Sequence, residues 1–364
     1  MNANFNIPTV LVAPLDWGLG HATRCIPIIK ALLANEYNVI IATSGKPRKI
    51  LQQEFPQLIF VELKGYEISY SKNKYWLPFK IAAQIPKILA VIKYEHQWLQ
   101  TIIEQHKVDV VISDNRYGLH SKKTPSIFIT HQLTIQTPFG WLTNLLQRIN
   151  YSYINQFSNC WVPDVAGEKN IAGVLSHPKK MPAIPINYLG VLARFEKKIH
   201  TEYQYKFCFL LSGPEPQRTI LEDLILKDVA QLNCHCILLR GLPDSNTAVA
   251  TNNNLVVHNH LSGSELNEVL LSSEYIICRS GYTSIMELLA LEKKAILIAT
   301  PGQTEQIFLA NHLMQQNICY AVNQSHFDLL DVVKKAQQFN YQLPKLSNQN
   351  LHQLIPQLVE SIRK

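Results

Sequence analysis

No run in these 364 residues approaches the roughly 18 uninterrupted apolar residues of a membrane span, so no transmembrane helix is expected. Met1-Asn2-Ala3-Asn4-Phe5-Asn6 has no basic residue ahead of the next apolar stretch, which excludes the signal-peptide pattern and leaves a first strand. The expectation is a protein that stays in the cytoplasm. Cysteine is sparse and odd in number: seven, scattered, with Cys234-His235-Cys236 the single close pair. With no second Cys/His pair at ligand spacing, a zinc site is not expected, and the cysteines read as reduced, buried thiols. Repeats of solenoid length and low-complexity tracts are also missing. Acidic residues fall only a little short of basic ones, 27 against 34. The net charge of +7 therefore neither names nucleic acid nor excludes it, and no nucleic-acid-binding module is recognisable.

What is present is length and apolar content for more than one core. At 364 residues, 47% of them apolar, two domains of ordinary size are the default. One stretch organises the reading. Tyr275-Ile276-Ile277 runs into Cys278-Arg279-Ser280-Gly281-Tyr282-Thr283, after which Ile285, Leu288 and Leu289 recur at helical spacing: strand, tight turn, amphipathic helix. Ser280 is expected as the cap. A turn opening on Ser-Gly lets main-chain N–H groups converge where the helix end adds about half a positive charge, a seat for phosphate. Glu287, four residues after Thr283, would lie one turn deeper, placed for two ribose hydroxyls. A plain capped helix with Glu287 solvated fits the same residues. A second strand and turn come directly after, Ala295–Ala299 into Thr300-Pro301-Gly302-Gln303-Thr304-Glu305-Gln306. Two adjacent turns would thus face the carboxyl ends of parallel strands, where open α/β sheets bind ligands.

The first turn, Leu15-Asp16-Trp17-Gly18-Leu19-Gly20-His21, invites a dinucleotide reading and fails it. The third glycine position is Thr23, and the next strand ends in Ser44-Gly45 in place of an acid for ribose.

Cys-Arg-Ser-Gly, then Thr, then Glu four further on, followed by a turn with Glu-Gln before Leu-Ala, resembles the donor-binding half of the MurG-like nucleotide-sugar glycosyltransferases, glycosyltransferase family 28 and its relatives. The match is specific over residues 255 to 315 and organisational elsewhere. The resemblance implies an α/β protein of the GT-B fold: two Rossmann-like, doubly wound domains with a cleft between them. It places an acceptor-binding domain at residues 1–195, a donor-binding domain at 196–345, and a closing helix at 346–364 that packs back on the first.

It also implies roles. Gly18, Gly20 and His21 match a glycine-rich first turn whose histidine faces the acceptor. At a helix N-terminus the cationic form of that histidine is disfavoured, which suits a general base. Asp114, ending the strand Val108–Asp114, would hold the imidazole. His131, ending another strand, reads either as a plain loop histidine or as a further residue lining the acceptor cleft. Gly190 and Arg194 match a spacing in which the arginine reaches the donor phosphates. Ser212-Gly213-Pro214-Glu215-Pro216 departs from the family's Gly-Gly-Ser-x-Gly, its prolines removing two N–H donors, and Arg218 would substitute a side chain. Asn259 and His260 fall beside the nucleotide base, and Ser280, Gly281, Tyr282, Thr283, Glu287, Gln303, Glu305 and Gln306 around the rest of the donor.

The implied activity is inverting, metal-independent transfer of a sugar from a UDP-sugar to a hydroxyl acceptor, lipid-linked acceptors included. The nucleotide sugar is a co-substrate, no cofactor is implied, and the lack of any Asp-x-Asp motif fits a reaction without metal. A UDP-sugar hydrolase or epimerase, or a non-catalytic nucleotide-sugar-binding protein, remains the alternative. Aromatic and basic residues interleave in 70–93 and again in 138–148, the composition of a peripheral contact with the inner face of the cell membrane, although most such helices merely cover a sheet.

Overall fold

The apolar runs become parallel strands buried on both faces. The computed structural model describes residues 7–66, 84–135, 140–198, 202–243, 245, 247, 254–346 and 351–363. The chain divides between Arg194 and Phe195 into two units. One holds the described residues up to Arg194 together with the C-terminal helix, the other those from Phe195 to 346.

Among the described residues of the first unit seven strands pair in parallel: β1 (Thr9–Pro14), β2 (Asn38–Ala42), β3 (Ile59–Val61), β4 (Val110–Asp114), β5 (Ser126–Ile129), β6 (Asn159–Val162) and β7 (Ile186–Tyr188), in the order β3-β2-β1-β4-β5-β6-β7. Strands rich in Val and Ile with no polar alternation belong in such a sheet, because helices cover both faces. Those helices are α1 (Leu19–Ala34), α2 (Gly45–Glu54), α3 (Ile85–His106), α4 (Gly140–Ile154) and the C-terminal α10 (Leu351–Arg363). Leu11, Ala13, Val111 and Leu99 form one core layer, and Phe128, Ile154 and Val162 another. Ile355 and Val359 of α10 are buried in this unit. Tyr37 Oη donates to Glu360 at 2.9 Å, and Asn35 Nδ2 to the His352 carbonyl at 2.7 Å.

The second unit repeats the plan with six parallel strands: β8 (Tyr205–Leu210), β9 (Cys236–Leu239), β10 (Leu255–His258), β11 (Ser273–Cys278), β12 (Lys294–Ala299) and β13 (Tyr320–Asn323), ordered β10-β9-β8-β11-β12-β13. Its helices are α5 (Gln217–Asp228), α6 (Gly263–Leu271), α7 (Tyr282–Ala290), α8 (Thr304–Gln315) and α9 (Leu329–Gln338). Phe207, Phe209, Ile277, Ile296, Ile298 and Leu329 centre its core. In each unit the strand order reverses between the first strand and its neighbour, β1 beside β4 and β8 beside β11. That is where the turns diverge to opposite faces and leave a crevice.

Candidate functional site

In the first unit Pro14 pairs with Asp114 at the ends of β1 and β4, so the turn after one strand meets the carboxylate that ends the other. The Leu15 N–H donates to the Asp114 carbonyl at 3.0 Å, which pins the turn at its root. Gly18 caps α1 at φ 86°, a left-handed conformation that favours glycine there. Asp16 accepts from the Tyr66 N–H at 3.1 Å and anchors the turn from the other side.

His21, in the first turn of α1, lies with Nδ1 3.1 Å from Asp114 Oδ2, and its side chain is 15% exposed while Asp114 is fully buried. Between them enters a residue that sequence reasoning passed over. Arg24 is buried; its Nε donates to Asp114 Oδ2 at 2.8 Å and its Nη2 donates to Oδ1. The same Nη2 is 2.8 Å from His21 Nδ1, and Nη1 is 3.1 Å from Nδ1 of His131. His131, buried at 7% exposure, is therefore not a plain loop histidine. Helical spacing alone puts Arg24 on the face of His21, three residues on; that was the available signal.

Electrostatics come out of this packing. Burial pushes the Asp114 carboxyl up, but the charge of Arg24 and the hydrogen bonds from His21 and Arg24 outweigh it and hold the group down at about 2. Burial and then Arg24 lower the His21 imidazole below its ordinary value, against the opposing pull of Asp114. His21 is thereby a neutral, partly accessible imidazole backed by an ionised carboxylate. Such a group accepts a proton from a hydroxyl.

In the second unit the turns after β11 and β12 are stitched together. Ser280 Oγ donates to the Gln306 carbonyl at 2.8 Å, the Thr300 N–H to Gln306 Oε1 at 2.8 Å, and Gln306 Nε2 to Gln303 Oε1 at 2.6 Å. Ser280 is thus not the helix cap. Gly281 occupies the N-cap of α7 with no side chain to offer, so the positive end of that helix is not met by a capping oxygen of its own. Gly281 has φ −73° and nothing within 4 Å of where a Cβ would stand, so neither backbone nor packing requires glycine there. Thr283 is half-buried and Glu287 is 6% exposed, so the solvated alternative for Glu287 does not hold. Tyr282 is buried at the start of α7, its ring part of the interior; it was expected to face the donor. Glu305, half-buried, sits in the first turn of α8.

Beneath the Ser280 turn lies Arg279, buried, its Nη2 donating to the Gln217 carbonyl at 2.5 Å, and burial lowers its guanidinium to about 10. Arg218 does not reach out as a donor ligand. It is buried, with Nε 2.5 Å from Glu215 Oε1 and Nη1 2.7 Å from Glu222 Oε2. A carboxylate four residues on along α5 captures it before any ligand could. Asn259 donates to the Ser245 carbonyl at 2.8 Å, its Oδ1 accepts from Arg240 at 2.8 Å, and its carbonyl accepts from Leu242; His260 is exposed after β10. Arg194, half-buried, is the last residue of the first unit. Cys234, in a bend just ahead of β9, and Cys236, the first residue of that strand, lie with sulfurs 3.9 Å apart. Among the described residues no group of three or more His, Cys, Asp or Glu side chains is placed to hold a metal.

Comparison with known proteins meets this geometry from both ends of the chain. Residues 231–360 match the glycosyltransferase family 28 C-terminal domain, and residues 14–137 match glycosyl transferase family 1. No curated protein is matched by the sequence. Among solved structures the chain is similar to the glycosyltransferase SnogD from Streptomyces nogalater, with TM-score 0.62, 13% identity, and 98% of this chain and 100% of that one covered. MurG from Acinetobacter baumannii is similar at TM-score 0.56 and 13% identity, over 98% of this chain and 99% of that one. The spinosyn rhamnosyltransferase SpnG complexed with thymidine diphosphate is similar at TM-score 0.59 and 11% identity, over 98% and 96%. At these identities the likeness is one of fold. The chain therefore has the GT-B fold of these glycosyltransferases, and its residues 231–360 match the glycosyltransferase family 28 C-terminal domain.

Proposed function

We propose that the protein transfers a sugar from a nucleoside diphosphate sugar, UDP-linked, to a hydroxyl acceptor with inversion at the anomeric carbon and without a metal ion. The contact of His21 with Asp114 at the switch point of the first sheet carries this reading. His21 Nε2 takes the acceptor's proton as its oxygen attacks the anomeric carbon, and the bond from that carbon to the diphosphate breaks on the opposite face. Charge gathering on the diphosphate calls for fixed donors. The N-terminus of α7 at Gly281 to Thr283 serves, with the buried cation of Arg279 below it. Glu287 takes the ribose. The thymidine diphosphate held by SpnG makes a pyrimidine nucleoside diphosphate a reasonable occupant of this fold.

The acceptor side carries a lipid or works at its surface. Trp141, Leu145 and Ile149 stand at successive turns of α4, 69%, 47% and 46% exposed, and Ile85 and Leu89 of α3 are similarly bare. Lys87, Lys93 and Arg148 are exposed beside them, the mixture an anionic lipid surface attracts. Residues 70–83 and 138–139 of the segments read this way lie outside the described residues. No described helix is long and apolar enough to cross a membrane.

The test is a thermal-shift screen of nucleotides and nucleotide sugars, uridine and thymidine compounds included, followed by transfer assays with and without chelator. His21→Ala should lower kcat by about 10²-fold or more and leave nucleotide affinity intact. Preference for NAD or ATP, or full turnover of UDP-sugar with no acceptor present, would sink the transferase.

A further inference from the structure

The imidazole of His21 has two neighbours competing for one ring nitrogen. Nδ1 is 3.1 Å from Asp114 Oδ2, an acceptor, and 2.8 Å from Arg24 Nη2, a donor. With the proton on Nδ1 the ring donates to Asp114 and leaves the Nε2 lone pair bare. With Nδ1 bare it accepts from Arg24, and Nε2 holds the proton and is no base. The imidazolium, protonated at both nitrogens, sets its Nδ1–H against the N–H of Nη2. A simple histidine–carboxylate pair has no such conflict, because its carboxylate favours the charged ring. Here both Asp114 oxygens are already held by Arg24.

We infer that Arg24 is a positioning residue of this site: by holding Asp114 and setting a guanidinium N–H against Nδ1 of His21, it keeps the imidazole uncharged between turnovers. Asp114 accepts the Nδ1–H, the tautomer that leaves Nε2 bare as the base, and the opposing guanidinium keeps a second proton off the ring. The groups facing His21 are Arg24 on α1, Asp114 at the end of β4 and His131 after β5, with Cys25 Sγ 3.7 Å from Asp114 behind them. His131 is itself turned toward Arg24 Nη1, which occupies its Nδ1 and keeps that face of the cluster from supplying a second proton acceptor to the ring. Burial and the Arg24 charge push the His21 imidazole in the same direction as this geometry. In the reaction the proton passes from the acceptor hydroxyl to Nε2 and on to solvent. The ring sheds it readily because the guanidinium opposes its charge, so the base is reset in moderately acidic solution.

The inference rests on reading His21 as the base, and its test separates the two. Ring-nitrogen NMR of the full-length, ligand-free protein follows the His21 imidazole through pH, in the parent and in Arg24→Gln, the signal assigned with His21→Gln. The parent should stay neutral to below the ordinary histidine value of about 6.5. In Arg24→Gln the midpoint should rise by about 1 pH unit or more, since burial alone is then left to oppose the carboxylate. The acid limb of kcat/KM for sugar transfer should move upward by the same amount. A parental midpoint at or above about 6.5, or a midpoint in Arg24→Gln no higher than the parent's, overturns the inference. If Arg24→Gln does not fold, the parent's own titration decides. An imidazole that shifts as expected in a protein whose transfer activity ignores His21→Ala leaves Arg24 in its role and removes the proposed function instead.

Discussion

The hydroxyl of Ser280 donates to the main-chain oxygen of Gln306 across 26 residues of chain, at 2.8 Å. Ser280 was expected to cap its own helix; it ties that turn to the next. The two turns therefore move together, and α7 keeps a glycine at its cap. Ser280→Ala removes one buried hydrogen bond, a loss of about 1 kcal/mol. The expected outcome is a small drop in melting temperature with a several-fold rise in KM for the donor and little change in kcat. A donor KM within experimental scatter of the parent's would detach this stitch from donor binding.

Gly281 offers the reverse case. Its φ of −73° suits any residue and a Cβ there meets nothing, so for Gly281→Ala the chain-entropy gain of about 0.4–1 kcal/mol offsets the poorer fit of alanine at an N-cap, and stability should hardly change. If a diphosphate sits against this backbone, the added methyl obstructs it. UDP affinity by calorimetry should then fall about tenfold, equivalent to about 1.4 kcal/mol. Unchanged affinity would move the phosphates elsewhere.

Arg218 belongs to the scaffold of the second unit. Its guanidinium and that of Arg240 meet on Glu222, whose carboxyl burial raises but whose two arginine partners bring below the ordinary value. Arg218→Met breaks half of a buried pair and should cost about 3 kcal/mol in chemical denaturation. Donor KM, measured at a temperature where the variant is folded, should not change. A large rise in KM with stability intact would restore Arg218 as a phosphate ligand.

Acid should weaken the first unit through a histidine outside the site. His120 stacks on His96 with ring centroids 4.4 Å apart, and burial first, then His96, lowers it to about 4. Its folded value lies below its unfolded one, so above about 6.5 both states are neutral and its contribution is complete. As pH falls from there toward 4, the unfolded chain takes up a proton that the folded form refuses, and stability is lost across that window. His120→Phe should flatten the melting-temperature profile between pH 6.5 and 4, with His21 and His177, both lowered by burial, retaining part of the slope. An unaltered profile in the variant would show that His120 is not responsible.

Strands and βα turns were legible in the sequence because their causes are local. Val10-Leu11-Val12 and Ile276-Ile277 are apolar without alternation, the mark of strands covered on both faces, and glycines and serines punctuate the turns after them. The expectation that two doubly wound sheets share one chain came from the family resemblance, with the length of the chain and the strand and turn signals of each half beside it. The nearness of His21 to Asp114 was readable only as an inference from fold, since doubly wound order brings the first and fourth strands together.

Side-chain allegiance was not legible. Arg218 and Tyr282 were expected to face the donor, yet Glu222 and the interior claim them. Such choices depend on distances of a few ångströms between residues far apart in sequence. By itself the sequence determined the elements, their order and the turns that end at the binding edge, because hydrophobic period and turn chemistry act over a few neighbouring residues. Tertiary structure alone decided that Arg24 stands among His21, Asp114 and His131. Asp114 and His131 lie 90 and 107 residues away in the chain, and they reach the guanidinium only once β1, β4 and β5 lie side by side in register.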